Sequence, residues 1–252
     1  MHIRFDGKIV MVTGAGHGLG RCIAQTFAGL GATVYGCDIL ADALAETAKV
    51  GNIHTSVVDL GDRKAAADWV QSVAGHCMGR AADVLVNNAG GVAGQKNRPL
   101  EDVPDEDWDR IFAINVGAAM AMSRAVVPGM KKAGHGRIIN ISSGAGLQAS
   151  LTGIQAYCAA KHAVIGLTRQ LAHEFGPFGI TVNSVAPGFI RSNPTTEVQW
   201  ESYGTDGQAA LVERIALKRL GSAQDIANGV VFFASELGSF VNGQVIQVDG
   251  GR

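Results

Sequence analysis

Ile9-Val10-Met11-Val12-Thr13-Gly14-Ala15-Gly16-His17-Gly18-Leu19-Gly20 is the stretch whose reading decides the fold. Its first four residues form an unalternating apolar run. That pattern suits a short strand covered on both faces, and so a parallel sheet. Helical spacing follows through Cys22, Ile23, Phe27 and Leu30, and Gly31 ends it. Strand, glycine-rich turn, helix is the context in which backbone N–H groups approach a pyrophosphate at a helix N-terminus. Tight turns need glycine in any case, so the downstream chain carries as much weight as the turn.

The second strand is expected over Thr33–Asp38, with Asp38 at its end, eighteen residues past Gly20. An acid there hydrogen-bonds the adenosine ribose; the alternative is an N-cap for a helix over Ala41–Lys49. Further strands are expected at Ile53–Asp59, Ala82–Val86, Gly136–Ile141, Ile180–Ala186 and Gln244–Val248. Asp59-Leu60 suits an adenine contact or a cap for the helix from Arg63 equally well. The turn Asn87-Asn88-Ala89-Gly90-Gly91 is small enough for a ribose to lie over its backbone. Phe189 to about Gly207 reads as a long, polar, irregular segment, followed by a helix over Ala209–Leu217. Long loops in compact domains are usually functional, so 189–217 is the candidate substrate lid. Strand and helix alternate throughout, without linker or repeat. The expected architecture is therefore α/β: one domain over 1–252, a doubly wound, parallel, seven-stranded Rossmann-type sheet with its site at the strands' C-terminal ends.

Ser142 to Lys161 gives that site its chemistry. Tyr157 and Lys161 are four residues apart on one helix face. A phenol has an ordinary pKa of about 10, too high for a base at neutral pH, and a nearby ammonium favours the phenolate. Ser143, just past the fifth strand, is placed to hold the oxygen that exchanges the proton. Asn115 is polar in an apolar helical stripe and reads as either a satisfied core amide or a site residue.

The chain has 252 residues, is 47% hydrophobic and carries a net charge of −1. That balance gives no sign of nucleic acid or acidic lipid as a partner. Cys22, Cys37, Cys77 and Cys158 show no C-x-x-C pairing, so free thiols in a reducing cytoplasm are expected. No export signal, membrane span or metal motif is visible.

Thr13 to Gly20 as TGxxxGxG, Asn87 to Gly90 as NNAG, then Asn115, Ser143, Tyr157, Lys161 and Pro187-Gly188 in order resemble the short-chain dehydrogenase/reductase family in its compact single-domain branch. The resemblance covers residues 7 to 251. It implies Tyr157 as general acid/base, Lys161 as its pKa partner and ribose anchor, and Ser143, rather than Ser142, as the group that orients the substrate oxygen. It implies that Asn115 fixes a water relaying protons to Lys161. Gly14, Gly18 and Gly20, with His17 and Leu19, would bear on the pyrophosphate. Asn88, Ala89 and Gly90 would face the adenosine side, and Pro187, Gly188, Ile190 and Ser192 the nicotinamide. His17 stands where phosphate-preferring members often carry Arg. A homotetramer is implied by resemblance.

The expected cofactor is NAD rather than NADP, because Asp38 would repel a 2′-phosphate. The expected activity interconverts a secondary alcohol and a ketone, or a lactol and a lactone, on a small sugar- or polyol-like substrate. Gln148, Gln155, Arg191 and Asn193 are the candidate substrate contacts beside Ser143 and Tyr157. Two alternatives are a 3-oxoacyl-[acyl-carrier-protein] reductase using NADPH and a nucleotide-binding regulator without turnover.

Overall fold

Strand β1 (Ile9–Thr13) is buried along its whole length because its two faces serve two cores. Val10 and Val12 join one apolar cluster, and Ile9 and Met11 join the other. That is the physical reason for the unalternating run. The computed structural model describes residues 3–252.

The chain continues through α1 (Gly18–Gly29), β2 (Thr33–Asp38), α2 (Ala41–Thr47), β3 (Ile53–Val57), α3 (Arg63–His76), β4 (Val84–Asn87), α4 (Asp105–Phe112) and α5 (Ala118–Ala133). Then come β5 (Gly136–Ile141), α6 (Gln155–Phe175), β6 (Ile180–Pro187), α7 (Pro194–Ser202), α8 (Gly204–Glu213), α9 (Ala223–Ala234) and β7 (Val245–Val248). The strands form one seven-stranded sheet in the order β3-β2-β1-β4-β5-β6-β7. Every pairing in it is parallel. Strand order reverses between β1 and β4, which opens the crevice where a doubly wound sheet binds its ligand.

One face of the sheet packs on α1 and α9 through Ile23, Phe27, Val230 and Phe233. The other packs on α3, α5 and α6 through Trp69, Met122, Val126 and Phe175. A third cluster of Ile111, Ile154, Ala156 and Ala160, with Trp108, Phe112 and Tyr157 against it, seats the start of α6 on α4. Burial at roughly 25 cal/mol per Å² makes these clusters the main stabilising term. The run Asp105–Ala133 is long and apolar enough to cross a bilayer, but half of its apolar stretch is buried within the fold. It is a core element.

The segment after β6 departs from the sequence reading. Where an irregular stretch to about Gly207 is expected, two helices stand, and α8 begins at Gly204 and ends at Glu213. Asn193 caps α7: its Oδ1 accepts from the Thr196 N–H at 3.0 Å, and Pro194 opens the helix. These are strong start signals. The helix carries no apolar stripe because α7 covers little core; Val198 is exposed. The segment is pinned by aromatic contact instead, with Phe189 lying 6.0 Å from Trp200 and 5.8 Å from Tyr203 between ring centroids.

Candidate active site

The glycine turn brings β1 against the turn after β4. Thr13 Oγ1 accepts from the Asn88 and Ala89 N–H groups at 3.0 and 2.9 Å. Asn88 Nδ2 donates back to the Thr13 and Gly14 carbonyls at 3.0 and 3.1 Å. A Cβ on Gly20 would overlap the Gly14 carbonyl oxygen, so only glycine lets α1 start this close to the turn. His17 stands at the N-cap in extended conformation and its side chain caps nothing. The N–H groups of the first turn of α1 therefore lack a side-chain partner, as an anion site requires. These features fit the diphosphate of a dinucleotide.

Asp38 is held at the end of β2. Its carboxylate accepts from the Gly16 N–H at 3.0 Å and the Leu40 N–H at 3.1 Å. The capping alternative fails here, because Leu40 is the N-cap of α2. Asp59 accepts from the Gly61 N–H at 2.8 Å, while Asp62 caps α3. Asp38, Asp59 and Leu60 line one end of a cleft of about 450 Å³ along the strands' C-terminal ends.

Ser143, Tyr157 and Lys161 line the same cleft. Ser142 Oγ donates to the Lys161 carbonyl at 3.0 Å, which ties the end of β5 to α6. Ser143 Oγ accepts from the Ala145 N–H at 3.1 Å. Burial raises the Tyr157 phenol above its ordinary pKa, and its hydrogen bond with Ser143 works the other way. Lys161 is buried, its Nζ 5.6 Å from the Tyr157 ring centroid and donating to the Ile141 carbonyl at 3.0 Å. Burial pulls Lys161 down to about 8. The expected lowering of the phenol by Lys161 is not seen: desolvation dominates, only the Ser143 hydrogen bond opposes it, and further positive charge is needed to favour phenolate.

Asn115 sits in a π-helical turn between α4 and α5 and is buried. Its Oδ1 accepts from the Gly91 N–H at 3.0 Å, and its Nδ2 donates to the Gly91 and Ile111 carbonyls, both at 2.9 Å. The amide is engaged with backbone, so its side chain positions the Gly90-Gly91 turn rather than reaching towards Lys161.

His17, Gly14, Leu19, Asn88, Ala89 and Gly90 reach the cleft, as do Pro187, Gly188, Ile190 and Ser192. Gly18 stands beside it, against the Ser192 carbonyl. Of the candidate substrate contacts, Gln148 and Asn193 line the cleft. Gln155 does not; its Nε2 donates to the Arg98 carbonyl at 2.9 Å. Nor does Arg191, which pairs with Glu197 at 2.6 Å and lies over Trp200. Sequence reasoning missed Thr13 and Arg252. Thr13 carried a signal as the hydroxyl that ends β1. The cleft position of Arg252 depends on the turn after β7, which no motif marks.

Residues 14–252 match a family profile described as enoyl-(acyl carrier protein) reductase. The chain belongs to the short-chain dehydrogenase/reductase family. The relatives it matches along its length include nicotinamide-dependent dehydrogenases and reductases acting on CH–OH groups, and this chain is such an oxidoreductase. It is 37% identical over 250 residues to a 2-dehydro-3-deoxy-D-gluconate 5-dehydrogenase of Bacillus subtilis, covering 97% of this chain and 94% of that one. It is 36% identical over 257 residues to a 3-oxoacyl-[acyl-carrier-protein] reductase of Escherichia coli, covering 99% and 98%. A Beutenbergia cavernae crystal structure, assigned as an NAD(P)-dependent gluconate 5-dehydrogenase and holding NADP at low occupancy, superposes with a TM-score of 0.87 at 36% identity, over 99% of this chain and 98% of that one.

Proposed function

We propose that this short-chain dehydrogenase/reductase uses NAD(H) and interconverts a secondary alcohol and a ketone on a small polyhydroxylated substrate. The observation that carries the reading is the Gln148 amide in the cleft that also holds Ser143 and Tyr157, with the Asn193 Nδ2 and Gln199 Oε1 ends beside it; Asn193 Oδ1 and Thr196 Oγ1 are engaged in the α7 cap, and Gln199 Nε2 donates to the Tyr203 hydroxyl. A site that hydrogen-bonds substrate hydroxyls rejects analogues lacking them, because its own polar groups are left unpaired.

Ser143 orients the substrate oxygen, and Tyr157 removes its proton in oxidation or returns it in reduction. The bound nicotinamide supplies hydride transfer, and its oxidised ring carries a positive charge. That charge adds to Lys161 in favouring the phenolate and so offsets the burial that raises Tyr157. Lys161 also has ammonium donors to offer the ribose hydroxyls beside Tyr157. Asn115, through Gly91, keeps the floor of the cleft in place.

Asp38 supports NAD. Its charge stands at the ribose end of the cleft, where NADP would bring a phosphate. The 36% identity to a 3-oxoacyl-[acyl-carrier-protein] reductase favours a second reading, reduction of an acyl thioester with NADPH. Absorbance at 340 nm with both cofactors separates the two. Polyols and sugar acids with NAD are expected to exceed a 3-hydroxyacyl thioester and unsubstituted secondary alcohols by at least tenfold in kcat/KM. The reverse order refutes the polyhydroxyl reading.

A homotetramer in the cytoplasm completes the proposal. Along α6, Ala159, Ala163, Leu167 and Leu171 form a half-exposed apolar stripe beside the buried one. Such a stripe suits a partner helix. All four cysteines are free thiols, in keeping with a reducing compartment. Light scattering of the purified chain tests the assembly, and a monomer mass refutes it.

A further inference from the structure

We propose that the Arg252 guanidinium anchors a carboxylate on the substrate, so that the enzyme acts on a polyhydroxylated acid. The proposal rests on the polyhydroxyl reading above and names the charge of that substrate.

Arg252 lines the same cleft as Ser143, Tyr157 and Lys161. The backbone holds it there. After β7, Gly250 and Gly251 both adopt left-handed conformations, with φ of +73° and +84°. Their carbonyls accept from the Leu217 and Ala216 N–H groups at 3.1 and 3.2 Å. The Gly251 N–H donates to Asp249 Oδ1 at 2.9 Å. A Cβ on Gly250 would lie 2.7 Å from Ile215 Cγ2. The tail is thereby fastened to the segment behind the lid helices, and its path leads Arg252 into the cleft.

The side chain is short of a partner. Its Nε is shut off from solvent and has no hydrogen-bond partner among the described residues. A buried donor of a charged group left unpaired is destabilising, so such a group normally has its partner supplied. Arg191 and Arg219 show the contrast, each being paired with a carboxylate of its own chain. The acidic side chains that line the cleft are Asp38 and Asp59, which follow β2 and β3. Arg252 follows β7, at the opposite edge of the sheet. Five strand spacings separate β2 from β7, on the order of 24 Å. The pyrophosphate end, at β1 and α1, is likewise far from β7. Ser143 and Tyr157 lie between, so the guanidinium addresses the substrate rather than the diphosphate. A planar guanidinium fork matches a carboxylate with two parallel hydrogen bonds.

The test compares D-gluconate, D-glucitol and D-glucitol 6-phosphate with the wild-type enzyme and the R252Q and R252K variants in the presence of NAD. Binding of each probe to the enzyme–NADH complex, followed by nicotinamide fluorescence, gives a readout that needs no turnover. Wild type is expected to favour gluconate over glucitol at least tenfold, in binding and in kcat/KM. In R252Q that ratio falls at least tenfold, through KM rather than kcat, and R252K recovers part of it. Four results overturn the proposal: no acid preference in wild type, an unchanged ratio in R252Q, equal losses on acid and neutral probes, or tighter binding of the phosphate than of gluconate. Failure of the polyhydroxyl reading looks different: an acyl thioester or simple alcohol outruns every probe, whatever the acid-to-neutral ratio does.

Discussion

Lys161 Nζ donates to the Ile141 carbonyl oxygen at 3.0 Å, which sets a buried ammonium on the last residue of β5. Among the described residues no carboxylate pairs with it, and burial holds Lys161 at about 8, below its ordinary 10.5. A group with a depressed ammonium pKa destabilises the fold while it is charged. The penalty is full below pH 8, fades as the folded group loses its proton, and vanishes above about 10.5. Lys161→Met removes the charge and keeps the bulk, at the loss of one hydrogen bond. The cofactor-free variant is expected to be more stable than wild type at pH 7 by on the order of 1–3 kcal/mol. The gap closes as pH rises from 8 to 10.5, while activity is lost throughout. Urea denaturation across that range checks it; a variant less stable than wild type at pH 7 contradicts it.

Asn115 and Gly91 form a closed pair, amide to peptide, with Ile111 as third partner. Asn115→Leu leaves one partly buried N–H and two carbonyls without these bonds. Each is worth roughly 1 kcal/mol net, and more when left unsatisfied. A loss of about 2–4 kcal/mol is expected on that basis, with kcat reduced because Gly90-Gly91 lines the cleft. Full activity and unchanged stability in the variant would show the pair to be incidental.

Asp38 predicts cofactor choice. Two unit charges 4 Å apart interact by about 4 kcal/mol at an effective dielectric of 20. Asp38→Ala is expected to raise kcat/KM for NADP at least tenfold and to lower it for NAD. It should also weaken the turn, since the Gly16 and Leu40 N–H groups lose their acceptor. Equal efficiency of wild type with NAD and NADP, or no gain on NADP in the variant, would remove Asp38 from the selection.

Much of this was legible in the sequence where one physical cause dominates. β2 and β5 run from Thr33 to Asp38 and from Gly136 to Ile141 as read, because a strand buried on both faces carries apolar residues side by side, as Val34-Tyr35 and Ile138-Ile139 do, instead of alternating them with polar ones. The glycine turn and the Tyr157–Lys161 spacing were equally readable, since both are local. The lid helices are not: α7 has no apolar stripe, and its cap, Asn193 with Pro194, stands among polar residues that an irregular loop carries equally well. Nor could sequence tell that Glu197 occupies Arg191 while Arg252 points into the cleft. Those outcomes depend on where separate elements meet.

Tyr157 also sets the pH response. Burial raises its phenol, and oxidation needs the phenolate, so kcat/KM for alcohol oxidation is expected to rise with pH through the neutral range. The reductive direction should fall over the same range, because it needs the phenol. A pH-independent oxidation rate would contradict this assignment.

The most direct measurement is kcat of Tyr157→Phe on the best alcohol substrate, paired with NADH binding by fluorescence. Proton transfer by Tyr157 predicts unchanged NADH binding and a kcat lowered at least a thousandfold, about 4 kcal/mol in barrier. A variant that binds NADH normally and keeps a tenth of wild-type kcat would contradict the account.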